Sequence, residues 1–141
     1  MKLGLSNAKL RITILKSGGH IGEIALTGDG SVNPLWIQSR PTIDAEQYEP
    51  AKHEPVYGPG SVSRLMAGLL GHNVCFPFWG NPSPAEAAAG MTFHGETGIV
   101  RWQQIASGAD FLTVSAQLNE SGTSFTRTIR LQGQVARVEE T

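Results

Sequence analysis

The 141-residue chain has a single cysteine, Cys75. One thiol excludes an internal disulfide and fits a reducing compartment, so a cytoplasmic location is expected. Charge is also scarce: 16% of residues are Asp, Glu, Lys or Arg, against roughly 25% in an average soluble domain. Neither sign dominates, since eleven basic residues against twelve acidic ones leave a net charge of −1. That balance argues against a nucleic-acid partner, which calls for a basic patch that releases counterions. No apolar run approaches the roughly 18 residues of a membrane span, so no membrane partner is expected. Residues 1–10 hold no apolar stretch of the kind a secretory signal needs. Internal repeats and low-complexity segments are missing as well.

What is present points to β structure. The length suits one domain over residues 1–141, able to bury about two-thirds of its unfolded surface without a disulfide or metal. Seventeen glycines and eight prolines supply turns. Residues 11–16 (RITILK) form a β-branched run, and Ser17-Gly18-Gly19 offers hairpin-turn chemistry. Residues 20–27 (HIGEIALT) return from it, Gly28-Asp29-Gly30 turns again, and residues 33–38 (NPLWIQ) give a third apolar run. In residues 111–118, Leu112, Val114, Ala116 and Leu118 alternate with polar residues, the signature of a half-buried antiparallel strand. Asn119-Glu120-Ser121-Gly122 makes a turn. Residues 124–131 come back with Phe125, Ile129 and Leu131 on one face, and residues 134–139 give a further strand. Regular spacing of strands and Gly-bearing turns predicts an all-β antiparallel sandwich.

The middle of the chain reads differently. Residues 39–61 carry Pro41, Pro50, Pro55 and Pro59 and are expected to be a long surface loop, neither central strand nor helix. Residues 64–70 (RLMAGLL), interrupted by glycine, read as strand or turn rather than helix. Residues 74–79 (VCFPFW) read as an apolar strand that Pro77 keeps out of a regular ladder. One short helix is predicted near residues 83–90: Ser83 caps, Pro84 takes the first helical position, Glu86 completes a capping box and Gly90 terminates.

The densest collection of functional side chains lies in residues 71–102. It holds His72, Cys75, Trp79, His94, Glu96, Arg101 and Trp102. Aromatic faces beside hydrogen-bonding groups suit a sugar, whose C–H groups stack while its hydroxyls are matched. The order Cys75-Phe76-Pro77-Phe78-Trp79-Gly80, then His94-Gly95, then Trp102, resembles the galactose mutarotase-like family, which includes aldose 1-epimerases and hexose-6-phosphate mutarotase relatives. The Gly18-Gly19 turn and Trp36 before the long loop resemble that family's N-terminal sheet.

The resemblance implies a β-sandwich of the supersandwich type, partial here and corresponding to the family's N-terminal half. It implies a protein that binds a monosaccharide or other small sugar and, in the full-length family, interconverts sugar anomers with a His acid and a Glu base. Both catalytic groups belong to the family's second half, so no catalytic residue is assigned in this chain, and no cofactor or metal is expected. His94 matches a substrate-contacting His, and Arg64 matches an Arg that contacts sugar hydroxyls. His72 and Trp79 complete the candidate substrate-binding set. Leu69 or Leu70 stands where phosphosugar relatives carry a phosphate-binding Arg, which counts against a sugar phosphate.

Other readings stay open for each residue. His94 reads also as a turn residue whose ring caps backbone groups, and His72 as a structural residue at a strand edge. Arg64 reads also as a solvated surface residue, and Trp79 and Trp102 as core. Cys75 reads as a small buried hydrophobe, Glu96 as a solvated carboxylate. Two other functions compete: a stand-alone, non-catalytic carbohydrate-binding sandwich, and a cupin-like metal site using His72, His94 and Glu96. An uncovered sheet would also make the isolated chain self-associate or bind hydrophobic dyes.

Overall fold

The computed structural model describes residues 2–28 and 31–141, so part of the predicted turn at Gly28-Asp29-Gly30 lies outside the described residues. Two antiparallel sheets face each other. The first has strands β1 (Lys2–Ser6), β2 (Leu10–Leu15) and β3 (Ile21–Leu26), in that spatial order. The second has β4 (Gln103–Ser107), β5 (Phe111–Leu118), β6 (Thr123–Gln132) and β7 (Val135–Glu140), also in chain order. Consecutive antiparallel neighbours need only tight turns; Asn7 shapes the one between β1 and β2 through its side chain, and glycines shape others. Gly18 and Gly19 take φ of 72° and 60° between β2 and β3, and Gly122 takes 68° between β5 and β6. Such left-handed backbone carries little penalty for glycine alone.

The period-two pattern delivers the core. Leu112, Val114, Ala116 and Leu118 of β5 are all buried, with Ile129 and Leu131 of β6 beside them. They meet Leu5, Leu10, Ile12, Ile14 and Ile21 from the other sheet, and Trp102 joins the same cluster with no exposed surface. The register places Leu112 opposite Ile129 and Ala116 opposite Phe125, so facing side chains pack as cross-strand pairs. The expected all-β antiparallel sandwich is the architecture observed.

The middle of the chain departs from the sequence reading. Residues 39–61 contain a 3-10 turn (Ala45–Gln47) and helix α1 (Pro50–Tyr57), and helix α2 (Gly60–Gly68) starts within them. Pro50 occupies the first helical position, where a missing N–H costs nothing. Pro55 sits inside α1, and the helix ends two residues later. The prolines therefore shorten the helices rather than forbid them. Residues 64–70 are likewise helical over most of their length. α2 buries Ser63, Leu65, Ala67 and Gly68, a stripe at helical spacing that outweighs the local cost of Gly68.

Residues 74–79 form no strand. Their sole ladder contact among the described residues is an isolated bridge from Phe76 to Gly95, beside a cis Phe76–Pro77 peptide. Residues 33–38 also lie outside any strand. Asn33 instead uses its side chain on the outer edge of β3, accepting from the Ile24 amide at 3.2 Å and donating to the Gly22 carbonyl at 2.8 Å. Helix α3 (Pro84–Ala88) matches its prediction, with the Ser83–Glu86 capping box formed in both directions.

Candidate functional site

The loops between α2 and β4 hold the strongest arrangement. His94 takes a left-handed φ of 64°, a conformation in which His is enriched among non-glycine residues. Gly80 fixes it at two points: the Gly80 N–H donates to His94 Nδ1 at 2.7 Å, and the His94 N–H donates to the Gly80 carbonyl at 2.9 Å. Gly95 follows with φ of 78°, and a Cβ there would stand 1.9 Å from the Phe76 carbonyl oxygen. Glycine is thus required for residues 76 and 95 to come together. The Trp79 ring stacks on His94 with centroids 3.9 Å apart and planes 30° apart, while Phe93 lies 3.8 Å from the same imidazole.

The chemistry of this cluster follows from its hydrogen bonds. Partial burial holds the His94 pKa below its ordinary value, so the ring is neutral at pH 7. Its Nδ1 accepts from Gly80, so its proton sits on Nε2, which is a free donor among the described residues. Beside that donor stands an indole with 79% of its surface exposed. A hydrogen-bond donor and an open aromatic face are the groups that complement hydroxyls and apolar C–H groups, respectively. The capping role that the sequence left open for His94 is therefore observed on Nδ1.

The other two candidates sit elsewhere. Arg64 is exposed on α2 and lines a cavity of about 860 Å³ between α2, the 3-10 turn and the outer face of β4 and β5. Trp79, His94 and His72 are not among its walls. His72 extends the edge of β3 through its backbone: its N–H donates to the Ile21 carbonyl at 3.0 Å and its carbonyl accepts from Ile21 at 3.1 Å. That is the strand-edge role the sequence allowed. The four residues thus divide among three places, and Trp79 with His94 are the pair brought into contact.

Three further residues take positions the sequence did not assign. Glu96 is not solvated: it is 2% exposed, and its carboxylate accepts from the Glu120 and Ser121 amides at 3.1 and 2.8 Å. It ties the loop to the β5–β6 turn, where unpaired backbone donors need an acceptor. Arg127 is fully buried on the inner face of β6. Its guanidinium lies 4.9 Å from the Trp102 ring centroid, donates from Nε to Glu140 at 2.6 Å and also donates to the Gly19 carbonyl. Burial opposes its charge and Glu140 offsets that cost. The alternation offered a signal for it, since residue 127 shares the parity of Phe125, Ile129 and Leu131. His20 is also fully buried, with Nε2 3.2 Å from the Gly98 carbonyl.

Cys75 is half-buried, not enclosed in an apolar strand, and burial raises its thiol pKa. Among the described residues, no group of three or more His, Cys, Asp or Glu side chains is placed to hold a metal ion. The cupin-like set does not assemble, because Glu96 is engaged by backbone amides. Also among the described residues, no helix is long and apolar enough to cross a membrane.

No known protein family matches the sequence, and no curated protein matches it. Among solved structures, the chain is similar to a galactose mutarotase related enzyme from Lactobacillus acidophilus, with a TM-score of 0.60 and 11% sequence identity. The likeness covers 99% of this chain and 42% of that one. At such low identity it establishes a shared fold: the sandwich of this chain has the architecture of a galactose mutarotase-related enzyme over less than half of that enzyme's length.

Proposed function

We propose that this chain is the carbohydrate-binding part of an aldose 1-epimerase-like protein and that it holds a monosaccharide against Trp79 and His94. The observation that carries the reading is the exposed Trp79 indole stacked on a His94 whose Nδ1 is committed to Gly80. A pyranose laid on the open face of the indole gains C–H contact, and His94 Nε2–H donates to one of its oxygens. The fold likeness to a galactose mutarotase-related enzyme agrees with such a ligand. The single thiol fits a cytoplasmic setting.

A second reading, a stand-alone carbohydrate-binding sandwich without turnover, draws on Glu96. The carboxylate two residues from His94 is spent on the Glu120 and Ser121 amides. It is not free to take a proton from an anomeric hydroxyl, which general base catalysis requires. Anomer interconversion by this chain alone is therefore not part of the proposal.

Calorimetric or saturation-transfer titration with D-galactose and D-glucose tests the reading. The expected result is millimolar binding that falls at least tenfold in Trp79→Ala and several-fold in His94→Gln. Binding that both variants retain in full contradicts it, as does no binding by the native chain. Polarimetry separates the two readings, because rapid anomer equilibration by this chain would overturn the binding-only one.

A further inference from the structure

Two hydrogen bonds join His94 to Gly80, and only one of them tolerates acid. The His94 N–H donates to the Gly80 carbonyl at 2.9 Å whatever the charge on the ring. The Gly80 N–H donates to His94 Nδ1 at 2.7 Å, and that bond exists only while Nδ1 keeps its lone pair. Both nitrogens of an imidazolium carry protons, so no rotation of the ring restores an acceptor. Protonation therefore sets one N–H against another and leaves the Gly80 donor without its partner. Trp79 immediately precedes Gly80, and its indole is stacked on the same imidazole at 3.9 Å. A change at Gly80 is thus passed directly to the platform.

The titratable groups on the segments around His94 leave its ring free to take up a proton in weak acid. Residues 71–80 bring His72, whose pKa is lowered by burial and then by the Arg127 charge, and Cys75, whose thiol pKa burial raises. Glu86 at the start of α3 is spent on the Ser83 amide, and Glu96 on the Glu120 and Ser121 amides. Helix α2, tied to this loop by the Phe93 N–H on Ser61 Oγ at 3.3 Å, brings the exposed Arg64. Among the described residues, no carboxylate pairs with the His94 ring to hold a proton on it. The Trp79 and Phe93 rings attract a cation, while burial penalises it and keeps the pKa below its ordinary value. We infer that the Trp79–His94 platform is gated by acid: it holds its sugar while His94 is neutral, and on protonation it loses the Gly80 bond, lets Trp79 move and releases the sugar. The inference rests on the monosaccharide reading for its ligand, whereas the gate itself lies in the Gly80–His94 bond.

The experiment titrates the native chain, His94→Gln and His72→Gln from pH 7.5 to pH 5, with and without D-galactose, with circular dichroism confirming the fold at each pH. Proton–nitrogen correlation spectra follow the Trp79 indole and the histidine rings, and calorimetry follows the sugar. In the ligand-free native chain, the Trp79 signal should shift with the same midpoint as the His94 ring, below about 6.5. Galactose affinity should be halved at that midpoint, as only the neutral form binds, and be at least twofold lower at pH 5 than at pH 7.5. Glutamine offers Gly80 an oxygen acceptor and does not titrate, so His94→Gln should bind more weakly than the native chain but equally at both pH values. His72→Gln should keep the native pH dependence. If galactose binds and loses less than twofold in affinity by pH 5, the monosaccharide reading stands and the gate falls. If galactose binds at no pH while the Trp79 signal follows His94, the monosaccharide reading falls and the gate stands. A Trp79 signal indifferent to the His94 titration, or the native pH dependence persisting in His94→Gln, overturns the inference.

Discussion

Trp102 and Trp79 stand 23 positions apart in one stretch of chain and meet opposite fates. Trp102 has no exposed surface; its Nε1–H donates to the Thr97 carbonyl at 3.1 Å, and Arg127 lies over its ring. Trp79 leaves 79% of its surface in solvent and touches an imidazole. Burying a large indole and satisfying its one donor stabilises a fold; leaving the same group outside forgoes that gain. The first tryptophan therefore serves the sandwich, while the second is available to a ligand. Gly19 shows how tight the first environment is, since a Cβ there would stand 2.4 Å from the Trp102 ring.

The largest expected effect is on the buried side of this comparison. Trp102→Ala should cost about 3–5 kcal/mol, because it opens the core and strips Arg127 of the ring beneath it. Denaturant unfolding measures this, and a loss under 1 kcal/mol would show that Trp102 is not a core residue. Trp79→Ala, by contrast, should change stability by less than about 0.5 kcal/mol.

The next effect comes from His20, the residue that follows Gly19. Burial, with the Arg127 charge and His72 adding to it and the Gly98 carbonyl opposing, lowers its pKa from 6.5 to about 4. The unfolded chain takes up this proton as pH falls through 6.5, and the folded chain does not until pH reaches about 4. Stability should therefore be full above pH 6.5 and fall between pH 6.5 and 4. The loss from this group is on the order of 3 kcal/mol, with no further change from it below pH 4. Urea unfolding across that range checks the slope, and a flat profile would contradict a buried neutral His20.

A smaller effect is expected at the loop that supports the platform. Glu96→Gln replaces a carboxylate that accepts two backbone N–H groups with an amide that has one acceptor oxygen. A cost of about 1.5–3 kcal/mol follows from weakening bonds to a charged group. Slower hydrogen exchange at the Glu120 or Ser121 amides in the variant would contradict this role.

The sequence disclosed these regions unevenly, for physical reasons. β5 and β6 were legible because a sheet with one buried face imposes strict alternation, and α3 because its capping box is entirely local. β1 and β4 were not, since β4 is exposed at all five positions and shows no alternation. α1 and α2 were hidden by prolines and glycines whose local cost is offset by packing that only the folded chain supplies. Of the candidate site, the stacking of Trp79 on His94 depends on Gly80 and Gly95 bringing two loops together, which no spacing rule reveals. Glu96 was read from its polar neighbours, yet its burial is set by a turn 24 residues away.

The comparison between the two tryptophans can be read in one titration. Each indole N–H gives its own signal in a proton–nitrogen correlation spectrum, and the chain has three tryptophans. On addition of D-galactose, the account predicts a saturable shift of the Trp79 indole signal while the Trp102 signal stays in place. A Trp79 signal that does not move at saturating sugar, or a shift confined to Trp36 or Trp102, would contradict it.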